Sequence, residues 1–278
     1  MSAQTTFEVP VHGGFLCGWT VGSGPEVLLL HGGPGLSYSY LDGLAAELGP
    51  DFYVAAFQQR GLEPSTVEGP FTMAQAIDDV VAVLDGLGWE RALVVGHSWG
   101  GHLALRMVGE RPERLRGALA IDPLGVIGDG GMAAFATEMG ARTPREGRER
   151  ARVLDERAMA GQGTSEDALE SLRIMWGSYF ADPENVPPMP PLTLSVEAYA
   201  GITSELATDL DSVAARLASS EVPYGIVAGA ASPMPWGQAA RPAAELSPHA
   251  FLKVVPGAGH LPWYEVPGTV REALSRLA

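Results

Sequence analysis

A serine held between two glycines is the part of this sequence best suited to covalent chemistry. Gly96, Ser98 and Gly100 form a G-x-S-x-G pattern within VVGHSWGGHLAL (Val94–Leu105). The pattern follows an apolar run and precedes a helical one, and in that context it predicts a sharp strand-to-helix turn that presents the serine hydroxyl as a nucleophile. Side chains at the two glycine positions would collide with nearby backbone in so tight a turn. The next backbone N–H, that of Trp99, would be placed to stabilise an oxyanion.

A serine nucleophile needs a base to accept its proton, and His260 is the best candidate. It lies in VVPGAGHLPWYEVP (Val254–Pro267), on a glycine-rich loop after the last apolar run. From such a loop a side chain can reach across the ends of parallel strands to Ser98. His97 and His102 are closer in sequence, but the first would point away from Ser98 and the second lies one turn into the helix. We therefore predict structural roles for both.

A second glycine-rich turn offers another oxyanion donor. LLLHGGPGLS (Leu28–Ser37) also follows an apolar run, and the backbone N–H of Gly33 lies in the loop that usually supplies the second donor beside a nucleophile turn. His31 lies in the same loop. We expect it to form hydrogen bonds within the loop and to leave the role of base to His260.

Short apolar runs alternate with helical patterns along much of the chain, which indicates the elements that position these residues. The runs that suit buried strands are Glu26–Gly32, Phe52–Phe57, Arg91–Ser98, Arg116–Asp122, Val222–Gly229 and Ala250–Val255. Residues 7–24 read instead as an antiparallel hairpin. This alternation predicts an α/β protein with a mostly parallel, doubly wound sheet and helices on both faces.

The strand pattern stops after residue 123 and resumes at residue 222, which predicts an insertion. We assign residues 1–123 and 222–278 to a core domain and residues 124–221 to a helical cap over the carboxyl ends of the strands. Trp176, Tyr179 and Phe180 of this insertion are candidates for substrate contact, with packing inside the cap as the alternative.

Composition narrows the range of partners. Asp and Glu outnumber Lys and Arg by 33 to 18, and the net charge of −15 opposes binding to nucleic acid. Cys17 is the only cysteine, and the sequence shows neither a signal peptide nor an apolar stretch of membrane-spanning length. We therefore expect a cytoplasmic protein that acts on a small-molecule substrate, with no membrane or nucleic-acid partner, no metal and no cofactor. The oligomeric state stays open.

Three motifs, taken in order, resemble one known family. HGGPG, GHSWGG and GAGHLPWYEVP are similar to those of α/β-hydrolases of the proline iminopeptidase type, and the likeness extends over Phe7–Pro123 and Val222–Ala278. The resemblance implies an α/β-hydrolase fold. Carried over position by position, it implies that Ser98 is the nucleophile, that His260 is the base, and that the N–H groups of Gly33 and Trp99 hold the oxyanion.

The acid of the triad is where the chain departs from that family. The family places an Asp shortly after the strand that corresponds to Tyr224–Gly229, but this chain has Ser232 there, and the family's Asp-Gln-Arg-Gly run reads QQRG at residues 58–61. Asp122, at the end of the strand that follows the nucleophile helix, could supply the carboxylate and keeps the order Ser, acid, His. The alternative is a solvated Asp that caps the turn before Pro123.

These features predict a serine hydrolase that forms an acyl-enzyme on a small ester, lactone or amide, with a specialised metabolite as one candidate substrate. An aminopeptidase of the iminopeptidase type is a close alternative, since that family binds a free amine through glutamates of the insertion, and Glu138, Glu197 and Glu205 are available there. A second class of function uses the same fold without hydrolysis, as a cyclase, a lyase or a ligand-binding protein.

Overall fold

The computed structural model describes residues 4–278. This part of the chain contains eight strands and eleven α-helices. The strands are β1 (Thr5–Val11), β2 (Gly14–Gly22), β3 (Glu26–Leu30), β4 (Tyr53–Phe57), β5 (Ala92–His97), β6 (Leu115–Ile121), β7 (Tyr224–Gly229) and β8 (Ala250–Val255). The helices are α1 (Asp42–Leu48), α2 (Met73–Gly86), α3 (Trp99–Glu110), α4 (Met132–Arg142), α5 (Arg145–Met159), α6 (Ser165–Met175), α7 (Val196–Glu205), α8 (Leu210–Ser219), α9 (Ala240–Ala244), α10 (Pro262–Glu265) and α11 (Thr269–Leu274). The first three residues of the predicted core segment 1–123 lie outside the described range.

The strands form one sheet in the order β1-β2-β4-β3-β5-β6-β7-β8. The β1–β2 and β2–β4 pairs are antiparallel, and every later pair is parallel. The predicted hairpin and the predicted parallel sheet are therefore both confirmed. Strand order reverses between β3 and β5, because β4 lies on one side of β3 and β5 on the other. In open α/β sheets such a switch point is where ligands bind, at the carboxyl ends of the strands.

The central strands are continuous apolar runs because both faces of the sheet are covered. Alternate residues of β3 enter two different clusters, with Leu28 and Leu30 on the face of α2 and α3 and Val27 and Leu29 on the face of α1 and α11. All four side chains are fully buried. Burial on two faces fixes the register, since a shift by one residue would exchange the clusters that each side chain enters.

Residues 124–221 form the segment between β6 and β7, and it holds helices α4 to α8. The start of α6 carries a capping box, in which the Thr164 hydroxyl accepts from the N–H of Asp167 and the Asp167 carboxylate accepts from the N–H of Thr164. The last helix, α8, packs against α3 of the sheet layer, where a Cβ added to Gly109 would lie 2.9 Å from the Cβ of Arg216. None of the helices of residues 4–278 has the length and apolar character to cross a bilayer.

A buried ion pair joins the loop after β4 to α2. The Arg60 guanidinium donates to both carboxylate oxygens of Asp79 at 2.8 and 2.9 Å, and each side chain is only 5% exposed. The Gln75 amide also donates to Asp79, and Arg60 donates to the carbonyls of His12 and Glu68. The pair thus ties the β1–β2 turn, the loop after β4 and the start of α2 together.

We expect Asp79→Ala to lower the free energy of unfolding by about 3–5 kcal/mol, because it leaves the Arg60 guanidinium buried without a counter-charge. Its neighbour Asp78 provides a control on the same helix, since Asp78 and its partner Arg111 are 61% and 37% exposed. Asp78→Ala should cost less than about 1 kcal/mol. Urea unfolding of both variants measures the difference, and equal losses would contradict a specific role for the buried pair.

Candidate active site

The predicted site residues meet at the carboxyl edge of the sheet, at the ends of five neighbouring strands. The loop after β3 carries Gly33, Ser98 directly follows β5, Asp122 directly follows β6, β7 leads to Ser232, and the loop after β8 carries His260. Parallel pairing brings these chain segments, which are far apart in sequence, to one edge of the sheet. The arrangement follows directly from the strand order.

Ser98 lies on a strained turn between β5 and α3. Its backbone has φ 54° and ψ −115°, a conformation that residues with a Cβ rarely adopt. The flanking glycines explain how the turn closes, because a Cβ on Gly96 would lie 1.9 Å from the carbonyl oxygen of Gly100, and a Cβ on Gly100 would lie 2.2 Å from that of Leu30. The predicted collision of side chains at these two positions is confirmed. The sharp turn keeps the Ser98 side chain partly exposed at the strand ends.

His260 and Asp122 are in direct contact. The Nδ1 of His260 lies 2.7 Å from Oδ2 of Asp122, and both side chains are buried, at 5% and 1% exposure. Since an ionised carboxylate can only accept, Nδ1 carries the proton and Nε2 is left with a lone pair. Ser232 lies on the other side, with its hydroxyl 3.4 Å from the same Nδ1. The structure therefore brings Asp122 to the position next to the histidine that an acid would occupy.

The Ser98 hydroxyl forms no hydrogen bond within residues 4–278. Hydrogen bonds between a nucleophile and its base are often long without substrate and shorten when substrate binds. What the structure does fix is the backbone of the serine, whose N–H donates to the carbonyl of Ile121 at 2.8 Å. That bond attaches Ser98 to β6 one residue before Asp122.

The two predicted oxyanion donors flank Ser98. Trp99 is the first residue of α3, a position whose N–H has no acceptor within the helix. Gly33 has φ 58°, a left-handed conformation that favours glycine. The loop that carries it approaches the nucleophile closely, since a Cβ added to Gly32 would lie 2.9 Å from the Cβ of Ser98. Trp99 thus follows Ser98 directly, and Gly33 follows a residue that lies against Ser98.

Gln59, which lies in the QQRG run but was assigned no role from the sequence, links the Trp99 side chain to the loop after β3. Its side-chain oxygen accepts from the indole N–H of Trp99 at 2.9 Å, and its side-chain nitrogen donates to the carbonyl of His31 at 2.9 Å. Gln59 therefore bridges the start of α3, next to Ser98, and the loop after β3.

Glu265 holds the loop that carries His260, and it too escaped prediction although it lies in the motif GAGHLPWYEVP. Its carboxylate accepts from the backbone N–H of Gly259 at 2.6 Å and from that of Ala181 at 2.7 Å. The N–H of His260 itself donates to the carbonyl of Tyr179 at 2.7 Å. The loop of His260 is therefore held partly by the 124–221 segment.

Three other histidines are buried, and burial favours their neutral form. His31 accepts from the backbone N–H of Gln59 through Nε2, and its Nδ1 donates to the carbonyl of Gly32. His102 accepts from the Arg106 guanidinium through Nε2. Burial lowers the pKa of His31 and of His102 to about 4, and it lowers the pKa of His97 well below its ordinary value. His31 bonds within its own loop, as predicted.

Of the three aromatic residues proposed to contact substrate, Tyr179 is the one whose ring packs on His260. Its ring centroid lies 5.3 Å from that of His260, and Phe135 of α4 lies 6.3 Å from the same ring. Phe180 is buried among core residues, and Trp176 packs on it with ring centroids 5.2 Å apart. Burial raises the pKa of the Tyr179 hydroxyl, which is therefore neutral.

The three glutamates considered for amine binding are engaged elsewhere. Glu205 accepts from the N–H of Met73 at the start of α2, Glu138 pairs with Arg142, and Glu197 accepts from the Ser195 hydroxyl. Asp155 of the same segment differs from these glutamates. It is a half-buried carboxylate that accepts a hydrogen bond from the Tyr199 hydroxyl at 3.2 Å. Burial raises its pKa. Within residues 4–278, no group of three or more His, Cys, Asp or Glu side chains is arranged to hold a metal ion.

The chain also matches a known protein family by its sequence. The sequence profile of the alpha/beta hydrolase family matches residues 27–273. The chain therefore belongs to the alpha/beta hydrolase family.

Curated relatives match over part of their length. Epoxide hydrolase B of Mycobacterium tuberculosis (strain ATCC 25618 / H37Rv) is 35% identical over 126 residues, a match that covers 44% of this chain and 35% of the relative. Epoxide hydrolase 3 of Siraitia grosvenorii is 36% identical over 100 residues, which cover 35% of this chain and 32% of the relative. The chain thus spans about a third of the length of the curated relatives it matches.

Solved structures share the fold at low identity. An alpha/beta fold family hydrolase from Bacillus anthracis str. Sterne superposes with a TM-score of 0.76 at 16% identity, over 99% of both chains. VinJ superposes with a TM-score of 0.73 at 21% identity, over 98% of both chains. These proteins therefore have the same overall fold as this chain.

The neutral buried histidines predict a loss of stability in acid. In the unfolded chain a histidine binds a proton below about pH 6.5, whereas folded His102 stays unprotonated down to about pH 4. The unfolded state binds more protons in this window, so the free energy of unfolding falls as the pH is lowered through it, by up to about 1.4 kcal/mol per pH unit for each such histidine.

We expect His102→Gln to make this decline shallower, because the glutamine takes up no proton in either state. Urea unfolding of wild type and variant at several pH values between 6.5 and 4 measures the two slopes. Identical slopes would show that His102 titrates alike in the folded and unfolded chains.

Proposed function

We propose that the protein is a serine hydrolase that cleaves a small ester, lactone or amide through an acyl-enzyme. The contact between Asp122 and His260 carries the proposal, since it leaves Nε2 of the histidine free to accept a proton. The strained turn at Ser98 and the two N–H groups beside it supply the other parts that such a reaction needs.

In the proposed reaction, the Ser98 hydroxyl attacks the carbonyl carbon of the substrate while His260 accepts its proton. The carbonyl oxygen becomes an oxyanion that takes hydrogen bonds from the N–H groups of Gly33 and Trp99. His260 then protonates the leaving group as the tetrahedral intermediate collapses to the acyl-enzyme. Water, activated by the same histidine, releases the acid product and regenerates Ser98. The Asp122 carboxylate stabilises the imidazolium at each stage.

We also propose that residues 124–221 act as a cap for this site. Supporting contacts join the segment to the strand ends at several points. The N–H of Ser195 donates to the carbonyl of Gly35 at 2.8 Å, and the N–H of Ser37 donates to the carbonyl of Thr193 at 2.9 Å. Arg142 of α4 donates to the carbonyls of Ala231 and Ser232. A cap in this position would restrict the substrate to a small molecule and limit access of water.

Ester or lactone cleavage is the form of the reaction that we favour. The glutamates available for a free amine are used in contacts within the protein, which argues against an iminopeptidase-like specificity. Aminopeptidase action remains the second candidate because Asp155 is a half-buried carboxylate with no cationic partner among the described residues. A cytoplasmic location remains a prediction.

A fluorophosphonate probe tests the nucleophile. We expect rapid labelling of folded wild type at Ser98, since the reagent needs an activated serine, and no labelling of Ser98→Ala. Turnover of p-nitrophenyl esters should exceed that of proline p-nitroanilide. The reverse order would favour the aminopeptidase, and folded protein that is not labelled would favour the non-hydrolytic class.

Moving the carboxylate from position 122, after β6, to position 232, after β7, tests whether Asp122 is the acid of the triad. We expect Asp122→Asn to lower kcat for a p-nitrophenyl ester by about 10⁴, the typical cost of losing a triad carboxylate. Because the Ser232 hydroxyl lies 3.4 Å from Nδ1 of His260, Ser232→Asp in the same variant should restore part of the lost rate.

Ser232→Asn in the Asp122→Asn background is the matched control, since it adds similar volume without charge. Recovery with Asp and not with Asn supports a carboxylate requirement at Nδ1. Wild-type turnover of Asp122→Asn alone would exclude Asp122 as the acid.

A further inference from the structure

A chain of hydrogen bonds connects the oxyanion loop to the loop of the base. The backbone N–H of Gly32 donates to the Tyr40 hydroxyl, whose oxygen lies 2.9 Å from Nδ1 of His97. The Nε2 of His97 lies 2.9 Å from the backbone carbonyl oxygen of His260. Gly32 precedes the proposed donor Gly33, and His97 precedes Ser98. One series of contacts therefore runs between three segments of the proposed site.

The direction of every hydrogen bond in this chain is fixed by its two ends. The amide N–H of Gly32 can only donate, so the Tyr40 oxygen accepts there and its single proton goes to His97. The carbonyl of His260 can only accept, so Nε2 of His97 carries the proton. His97 is thereby confined to one neutral tautomer. Protonation of Nδ1 would turn the Tyr40 hydroxyl proton away from His97, its only acceptor among the described residues.

Packing holds the His97 ring in this orientation. The ring is buried, and its centroid lies 4.8 Å from that of His260 and 4.8 Å from that of Trp263. Tyr40 also packs against Trp263, with centroids 6.4 Å apart. Burial lowers the pKa of His97 well below its ordinary value, in agreement with a neutral ring.

We propose that Tyr40 and His97 are positioning residues that set the distance between the oxyanion donors and the base. The inference rests on the proposed hydrolase function and adds to it two residues that do not touch the reacting atoms. Gly33 can meet the oxyanion and His260 can meet the Ser98 proton in the same transition state only if the two loops keep a fixed separation. The Tyr40 and His97 side chains span that separation.

Tyr40→Phe tests the proposal, because it removes the hydroxyl and keeps the ring. We expect kcat for a p-nitrophenyl ester to fall by about 10- to 100-fold with KM within about twofold of wild type, as for a misplacement of catalytic groups that leaves ground-state binding intact. Tyr38 and Tyr40 both lie on the 3₁₀ turn Tyr38–Leu41 that precedes α1. Tyr38→Phe is the matched control, since the Tyr38 hydroxyl forms no hydrogen bond within residues 4–278.

Two outcomes of these kinetics would overturn the proposal. The first is equal activity of Tyr40→Phe and Tyr38→Phe. The second is a fall in kcat that is accompanied by a similar rise in KM and a lowered Tm, which would assign Tyr40 to general packing.

Nitrogen-15 NMR of the histidine rings provides a readout that does not depend on activity. In wild type, His97 should show a protonated Nε2 and an unprotonated Nδ1, and Tyr40→Phe should shift both the His97 ring signals and the Gly32 amide. A protonated Nδ1 in wild type would overturn the proposed chain. If wild type cleaves no ester and is not labelled by fluorophosphonate, the proposed function fails, while the tautomer still decides whether the Tyr40–His97 connection exists.

Discussion

The close approach of backbone segments at the end of β5 is the constraint on which the rest of the site depends. Gly96 lies against the carbonyl of Gly100, and Gly100 lies against the carbonyl of Leu30, at distances that leave no room for a Cβ. Strand β3, strand β5 and helix α3 are therefore in contact through main-chain atoms, whose positions vary less than those of side chains. The strained backbone of Ser98 is retained because these neighbours leave the turn no relaxed alternative.

Much of the fold and part of the site could be predicted from the sequence, because they depend on local patterns. Buried strands are read from apolar runs, and the nucleophile turn is read from glycine spacing. The contact between Asp122 and His260 was predictable as well, since parallel topology places the ends of β6 and β8 at one edge. The catalytic role assigned to that contact stays a prediction.

The remaining parts of the site could not be predicted because they are long-range polar contacts. Gln59 meets Trp99 across 40 residues, and Glu265 meets Ala181 across 84. Neither pairing leaves a periodic signal in the sequence, and each residue type is common on protein surfaces. The glutamates of the 124–221 segment show the converse, since their residue type suggested amine binding while the structure gives them partners within the protein.

The attachment of Ser98 to β6 has a consequence for how the site tolerates motion. The N–H of Ser98 bonds to the carbonyl of Ile121, and the next residue, Asp122, bonds through its own N–H to the carbonyl of Val227 on β7. The proposed nucleophile and the proposed acid are thus attached to opposite edges of β6, Ser98 on the side of β5 and Asp122 on the side of β7. The carbonyl of Ile121 and the N–H of Asp122 belong to one peptide unit, so Ser98 shifts relative to Asp122 only by movement at the single junction between β5 and β6. An acid held on β7 would instead shift relative to Ser98 by movement at two junctions, β5–β6 and β6–β7.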